Sequence, residues 1–145
     1  MDRSIAIVSG YFNPLHVGHI RMMRRARELA DALIVVVNND RQQIIKKGRI
    51  ILREEDRLEV VDNIRVVDQV MLALDTDGSV RTTLADIRKR YPTHRLIFAN
   101  GGDRKDANSI DEADLCSQLG IEIIFGVGGH DKADASSRII SEAGL

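Results

Sequence analysis

Two histidines, His16 and His19, stand close together in the segment Gly-Tyr-Phe-Asn-Pro-Leu-His-Val-Gly-His, which occupies residues 10–19. The segment follows a β-branched apolar run and leads into a helix-like pattern, so we expect a loop that ends at a helix N-terminus. Free backbone N–H groups and the positive end of the helix dipole favour an anion there. At this spacing both imidazoles face the same side, and each can donate a hydrogen bond to a phosphate oxygen or protonate near neutral pH. The segment therefore predicts a phosphate-binding site.

Two glycines of the same segment, Gly10 and Gly18, support this interpretation because a residue without a Cβ lets the backbone approach a phosphate closely. Two plainer interpretations stay open from the residues alone. His16 and His19 are then ordinary polar residues at a helix start, or ligands of an adventitious metal ion. The position of the segment directly after the first predicted strand favours the phosphate site.

Short β-branched runs alternate with helix-like segments along the whole chain. The predicted strands are residues 4–9, 32–38, 69–74, 96–100 and 122–125. The predicted helices are residues 22–30, 53–64, 80–91 and 111–119, with a last helix that starts near Ser136. Pro92 and Gly120 follow two of these helices, as residues that end helices commonly do.

This alternation predicts one α/β domain over residues 1–145, because parallel neighbours in a sheet need crossover connections. We expect a single Rossmann-like domain with a five-stranded parallel sheet and helices on both faces. Ligands of such sheets bind beyond the carboxyl ends of the strands. The loops after the predicted strands are therefore where chemistry is expected.

Composition narrows the classes of partner. Lysine and arginine number 21 against 22 acidic residues, so no global field attracts nucleic acid or an anionic membrane. The chain has no tryptophan, two tyrosines and three phenylalanines, which disfavours the aromatic platforms of single-strand binding proteins. The apolar run 32–37 is far shorter than the roughly 20 residues of a membrane span. One cysteine, Cys116, and the absence of a secretory pattern at the start predict a cytoplasmic protein.

The segment 10–19 resembles the signature of the His-x-Gly-His nucleotidyltransferase superfamily. Its members include glycerol-3-phosphate and other cytidylyltransferases, heptose-phosphate adenylyltransferases, and nicotinate- or nicotinamide-mononucleotide adenylyltransferases. Three later stretches resemble motifs of the short cytidylyltransferases in the same order. They are Lys46-Lys47 followed by residues 54–58, the Ile-Arg-Val-Val-Asp-Gln-Val stretch at 64–70, and Ser-Ser-Arg-Ile-Ile at 136–140.

The resemblance implies direct displacement, in which an acceptor phosphate attacks the α-phosphorus of CTP or ATP and pyrophosphate leaves. His16 and His19 would hold phosphate oxygens, and Lys47, or with less support Lys46, would bring a positive charge to them. Mg²⁺ would be bound through the nucleotide phosphates. The implied partners are the nucleotide, a phosphorylated small molecule and a second copy of the chain in a homodimer.

The resemblance also implies further contacts. The implied nucleotide-binding residues are Gly10, Tyr11, Phe12, Asn13, Gly18, Lys46, Gly101, Asp103, Arg104, Ser136 and Ser137. Arg65 would lie near the active site or at a dimer interface. The chain departs from the related enzymes at Tyr11, where a small residue is usual, at Arg104, where some carry an aromatic residue, and before Ser136, where an arginine is missing. Lys132, His130 or Arg138 are the candidates to replace that arginine.

Other classes of function fit the residues less well. A non-catalytic nucleotide-binding module would keep the fold without turnover. A dehydrogenase or a P-loop ATPase fits the fold class but not the sequence, which contains neither G-x-G-x-x-G in the first βα turn nor G-x-x-x-x-G-K-[ST]. We therefore expect transfer of CMP or AMP, with a modest preference for CTP; the alternative is an adenylyltransferase of the pyridine-nucleotide or heptose-phosphate type.

Overall fold

A computed structural model describes residues 3–99 and 112–127 of the chain. Within these residues five parallel strands form one sheet in the order β3-β2-β1-β4-β5. The strands are β1 (Ser4–Gly10), β2 (Ala32–Val37), β3 (Gln69–Leu72), β4 (Arg95–Ala99) and β5 (Glu122–Ile124). The strand order reverses between β1 and β4, and a crevice at such a point is where doubly wound sheets bind ligands.

The described helices connect the strands. They are α1 (Val17–Glu28), α2 (Asp40–Lys47), α3 (Glu54–Asp62), α4 (Arg81–Arg90) and α5 (Ala113–Leu119). In the part of the chain that the structure describes, no helix has both the length and the apolar character of a membrane span.

Alternate residues of the strands pack on opposite faces of the sheet, as the period of a strand requires. In β1, Ile5 and Ile7 join the apolar cluster that contains Leu84 of α4 and Cys116 of α5. Ala6 and Val8 join the opposite cluster, which contains residues of α1 and α3 such as Met23 and Val61. Both faces of the sheet are therefore covered, and the predicted Rossmann-like α/β fold is confirmed.

The predicted strands all exist, with ends that differ by one or two residues. Strand β3 ends at Leu72 rather than at residue 74, because Ala73 makes the last hydrogen bond to Val37 before the chain turns away. Helix α1 begins at Val17, five positions before the predicted start, because its first turn contains the His-x-Gly-His segment rather than apolar residues. The predicted strand end at residue 100, the helix start at 111 and the helix near Ser136 lie outside the described residues.

Helix α2 was not predicted from the sequence. Its buried residues are the polar Gln42 and Gln43, both 0% exposed, whereas Ile44 and Ile45 are 50% and 56% exposed. In α2 the glutamines thus face the interior and the isoleucines face solvent, which is the reverse of the pattern by which most helices are recognised. The sequence signal that remains is the cap, because the Asn39 side chain accepts from the Gln42 amide and the Gln42 side chain accepts from the Asn39 amide.

Candidate active site

The two histidines of the loop after β1 form the N-terminal cap of α1. The Nδ1 atom of His16 accepts a hydrogen bond from the backbone amide of Gly18 at 3.1 Å. The Nδ1 atom of His19 accepts from the backbone amide of His16, also at 3.1 Å. Side chains of a capping box satisfy backbone donors in this reciprocal way, although serine and glutamate are its usual members. The histidines are thus part of the helix start itself.

This cap determines the tautomer of both rings. A neutral imidazole carries one proton, and a nitrogen that accepts a hydrogen bond cannot carry it. Because Nδ1 is the acceptor in both rings, the proton of each neutral ring is on Nε2. The rings stack with centroids 3.8 Å apart at an interplanar angle of 29°. The Nε2–H groups of the two stacked rings are therefore the donors that remain at the N-terminus of α1.

Both rings are neutral near physiological pH. Burial lowers the pKa of His19 to about 4, with a smaller contribution from the nearby His16. Burial also lowers the pKa of His16 from its usual value. The site therefore offers fixed dipoles rather than imidazolium charges. Oriented dipoles of this kind stabilise developing charge without having to reorganise.

We predict that the His19 ring titrates near pH 4 in the folded protein. A histidine of the unfolded chain titrates near about 6.5, so below that pH the unfolded state binds more protons. The contribution of His19 to the free energy of unfolding is therefore complete above about pH 6.5 and is lost as the pH falls towards the folded pKa. NMR titration of the imidazole ¹⁵N signals measures both the midpoint and the tautomer. A midpoint near 6.5 or a proton on Nδ1 would contradict the cap geometry.

Phe12 packs against the ring of His19. Its ring meets the His19 ring edge-on, with centroids 5.0 Å apart, and its side chain is 3% exposed. Its backbone has a φ of 51°, a strained conformation for a residue with a bulky side chain. A Cβ at Gly10 would lie 2.8 Å from the Phe12 ring, so Gly10 is required for this packing. The structure thus gives Gly10 a packing role, in addition to the close phosphate approach that the sequence suggests.

Asn13 joins the loop after β1 to the segment between α2 and α3. Its side-chain amide donates to the Gln43 side chain, and its side-chain oxygen accepts from the Leu52 amide at 3.0 Å. Gln43 in turn donates to the Leu52 carbonyl and to Asp40. Asn13 is 3% exposed and therefore holds the loop in place rather than facing solvent. Its predicted nucleotide contact remains a prediction.

Arg57 is a buried residue that the sequence-derived site did not include, although it belongs to the Glu-Glu-Asp-Arg-Leu stretch that carried the resemblance. Its guanidinium is 1% exposed and pairs with Asp40 at 2.9 Å. It also donates to the carbonyls of Tyr11, Asn38 and Leu52 at 2.6–2.9 Å. One side chain thus connects the loops after β1 and β2 with the start of α2 and the segment before α3.

The two lysines at the end of α2 differ in their surroundings. The Lys46 ammonium lies 4.5 Å from the centroid of the Tyr11 ring, in the loop that carries the histidines. Lys47, the last residue of α2, is exposed. Of the two lysines, the structure thus brings Lys46 to the histidine loop, whereas the sequence favoured Lys47. The role of either lysine in charge neutralisation remains a prediction.

The other predicted site residues do not all meet the histidine pair. Arg65 is exposed and lies between α3 and β3, at the amino ends of the strands, whereas the histidine loop follows the carboxyl end of β1. Within one chain Arg65 is therefore not beside the histidines, and its interface role stays a prediction. The remaining predicted contacts, Gly101, Asp103, Arg104, Ser136 and Ser137, lie outside the described residues, as do the candidates for the missing arginine.

Metal binding is one alternative for the histidine loop. In residues 3–99 and 112–127, no group of three or more His, Cys, Asp or Glu side chains is arranged to hold one. The Nδ1 atoms of both loop histidines already accept backbone hydrogen bonds, so the Nε2 atom of each neutral ring carries the proton and has no lone pair for a metal ion. This geometry does not fit the alternative in which His16 and His19 are metal ligands. It fits a site that receives anionic oxygens.

The fold places the histidine pair at a helix N-terminus, at the switch point of a doubly wound sheet. The sequence model of the family described as cytidylyltransferase-like matches residues 7–140. FAD synthase from Pyrococcus abyssi is 37% identical over 120 residues, which cover 81% of this chain and 76% of that protein. The bifunctional protein HldE from Koribacter versatilis is 32% identical over 133 residues, covering 90% of this chain but 24% of that protein.

A solved structure has the same fold. The lipopolysaccharide core biosynthesis protein from Thermoplasma volcanium GSS1 superposes with a TM-score of 0.65 and 25% identity, covering 89% of this chain and 99% of that one. The chain therefore belongs to the cytidylyltransferase-like family. It is a nucleotidyltransferase, of the kind that transfers a nucleotidyl group to a phosphorylated small molecule.

Proposed function

We propose that this enzyme transfers a nucleotidyl group from ATP, with CTP as the alternative donor, and releases pyrophosphate. The observation that carries the proposal is the pair of Nε2–H donors on stacked, neutral imidazoles at the N-terminus of α1. An acceptor phosphate oxygen attacks the α-phosphorus and forms the new P–O bond. The bond from that phosphorus to the bridging oxygen breaks, and pyrophosphate leaves with the electron pair.

In this mechanism the protein contributes position and electrostatics rather than covalent chemistry. The Nε2–H groups of His16 and His19 donate to phosphate oxygens whose negative charge grows in the transition state. The positive end of the α1 dipole acts in the same direction. Mg²⁺ would enter with the nucleotide phosphates and offset their charge, held by phosphate oxygens and water.

The choice of ATP rests on the relatives. FAD consists of an AMP unit joined through a diphosphate to flavin mononucleotide, and FAD synthase is the relative with 37% identity and coverage of most of both chains. HldE is of the heptose-phosphate adenylyltransferase type. These names favour an adenylyl donor, whereas the motif match alone favoured CTP. A phosphomonoester of a small molecule, such as flavin mononucleotide or a sugar phosphate, is the proposed acceptor.

Pyrophosphate release tests the proposal. The enzyme is incubated with Mg²⁺ and either ATP or CTP, each paired with flavin mononucleotide, heptose and other sugar phosphates, glycerol 3-phosphate and phosphoethanolamine. We expect at least one ATP pair to release pyrophosphate and form a product that contains both the nucleotide and the acceptor. Turnover with CTP alone would overturn the choice of ATP. Nucleotide binding without turnover in any pair would instead favour the non-catalytic module.

Two further expectations, on oligomeric state and on location, accompany this proposal. A homodimer and a cytoplasmic location stay predictions from the sequence. The exposed Arg65, at the sheet edge away from the histidine loop, is the residue on which an interface contact was predicted.

A further inference from the structure

Tyr11 makes one hydrogen bond through its backbone and one through its side chain. Its backbone carbonyl accepts from the buried Arg57 guanidinium at 2.9 Å. Its hydroxyl donates to the Gln42 carbonyl of α2 at 3.4 Å, a long and weak bond. The ring therefore extends from the histidine loop to the side of α2. Burial raises the pKa of Tyr11, so the phenol is neutral where the enzyme would work.

Helix α2, which carries the carbonyl that the Tyr11 hydroxyl contacts, is held in place by the side chain of Gln42. Gln42 is 0% exposed and donates to the carbonyls of Asp77 and Ser79, both at 2.8 Å. The Gln42 side chain also accepts from Asn38 at 3.0 Å, which ties α2 to the end of β2. Lys46 follows Gln42 by four residues and thus lies on the same helix face, one turn further on. The Lys46 side chain thereby reaches the face of the Tyr11 ring.

We propose that Tyr11 is a positioning residue, whose ring face holds the Lys46 ammonium beside the histidine loop for contact with the nucleotide phosphates. This inference rests on the proposed nucleotidyl transfer, and it assigns a purpose to the tyrosine that replaces the small residue of related enzymes. An ammonium over an aromatic face is attracted by the ring quadrupole, by about 0.5–1 kcal/mol at an exposed site. That attraction is strong enough to bias the rotamers of a long side chain and weak enough to yield to a phosphate.

The alternative is that Tyr11 only fills space against α2. The two possibilities differ in what each part of the side chain does. If the ring positions Lys46, Tyr11→Phe keeps the effect, because it retains the ring and loses only the weak bond to Gln42. Tyr11→Leu keeps much of the apolar bulk but removes the ring. A space-filling role predicts that neither variant depends on whether Lys46 is present.

The first experiment examines the contact without substrate. NMR of the whole chain should show the Lys46 side-chain methylene protons shifted upfield by the ring in the wild type. The shift should persist in Tyr11→Phe and disappear in Tyr11→Leu, while thermal unfolding checks that each variant is folded. Methylene shifts that are the same in wild type and Tyr11→Leu would overturn the proposed contact, whatever reaction the enzyme performs.

The second experiment is a double-mutant cycle with Tyr11→Leu and Lys46→Gln, measured with the nucleotide and acceptor that turn over. Tyr11→Leu should lower kcat/KM by about two- to fivefold, the fold-change that corresponds to the cation–π attraction. It should have no further effect in the Lys46→Gln background, and Tyr11→Phe should stay within about twofold of wild type. Lys89→Gln, an exposed change on α4, is the control for loss of surface charge.

Two outcomes of the cycle would overturn the positioning role. Independent effects of the two substitutions would show that the ring does not act through Lys46. A larger loss in Lys47→Gln than in Lys46→Gln would assign the phosphate contact to the other lysine. Inorganic pyrophosphate binding, measured by calorimetry on the same variants, separates this proposal from the reaction. If no nucleotide is turned over but Tyr11→Leu weakens pyrophosphate binding only when Lys46 is present, the proposed function fails and the positioning role stands.

Discussion

Replacing either loop histidine by alanine is expected to lower kcat by about 100- to 1,000-fold, the range seen when one preorganised transition-state donor is removed. The reason is geometric, because the Nδ1 atom of each ring is already bonded and only Nε2–H remains to contact a phosphate. The double variant should fall by less than the product of the single effects, since the two donors act on one transition state. Steady-state pyrophosphate release measures all three rates.

Each histidine also caps α1, so loss of activity must be separated from loss of structure. Asparagine is among the best residues at a helix N-cap, and His16→Asn should keep the cap while losing the Nε2–H donor. We expect His16→Asn to unfold at nearly the same denaturant concentration as wild type but to be as slow as His16→Ala. Activity close to wild type in His16→Asn would show that the cap, rather than the donor, is what the enzyme requires of His16.

Replacing Arg57 by methionine is expected to lower the free energy of unfolding by about 3 kcal/mol or more. The substitution leaves the buried groups that accept hydrogen bonds from the guanidinium without a donor. The guanidinium is 1% exposed and contacts Asp40 together with the carbonyls of Tyr11, Asn38 and Leu52. Methionine fills much of the space but offers no donor. Urea unfolding followed by circular dichroism measures the loss.

Arg53 provides the matched control for this substitution. It lies four residues before Arg57, its side chain is 66% exposed, and it forms surface ion pairs with Glu55 and Asp56. Arg53→Met should change the free energy of unfolding by no more than about 0.5 kcal/mol, because exposed pairs contribute little. Equal losses in Arg53→Met and Arg57→Met would show that Arg57 does not join the loops as the structure indicates.

The sequence predicted the fold because apolar runs and helical spacing reflect burial directly. Ile5 and Ile7 face one side of the sheet and Ala6 and Val8 the other, and all four are 5% exposed or less. The histidine loop was found for a related reason. Its residues adjoin one another in the sequence, so the motif is visible without knowledge of distant contacts.

The parts of the site that were missed depend on contacts between distant segments. Arg57 looks like one charged residue in an acidic helix start. Its burial follows only from three backbone carbonyls and the Asp40 carboxylate, which other segments direct towards it. Helix α2 was missed because its inner residues are glutamines held by loop carbonyls. Likewise, the contact between Lys46 and Tyr11 joins two residues that lie far apart in the sequence. Such contacts cannot be predicted from patterns within a short stretch of sequence.

Whether His16 and His19 donate to the nucleotide phosphates is measured by NMR of the two imidazole Nε2–H groups while ATP and Mg²⁺ are added to the wild-type protein. We expect the ¹⁵N and ¹H signals of both His16 and His19 to be those of the neutral Nε2–H tautomer before addition. Both proton signals should then move downfield together as the site fills, because each group begins to donate to a phosphate oxygen. Binding or turnover of ATP that leaves both signals unmoved would show that the two histidines do not donate to the nucleotide phosphates.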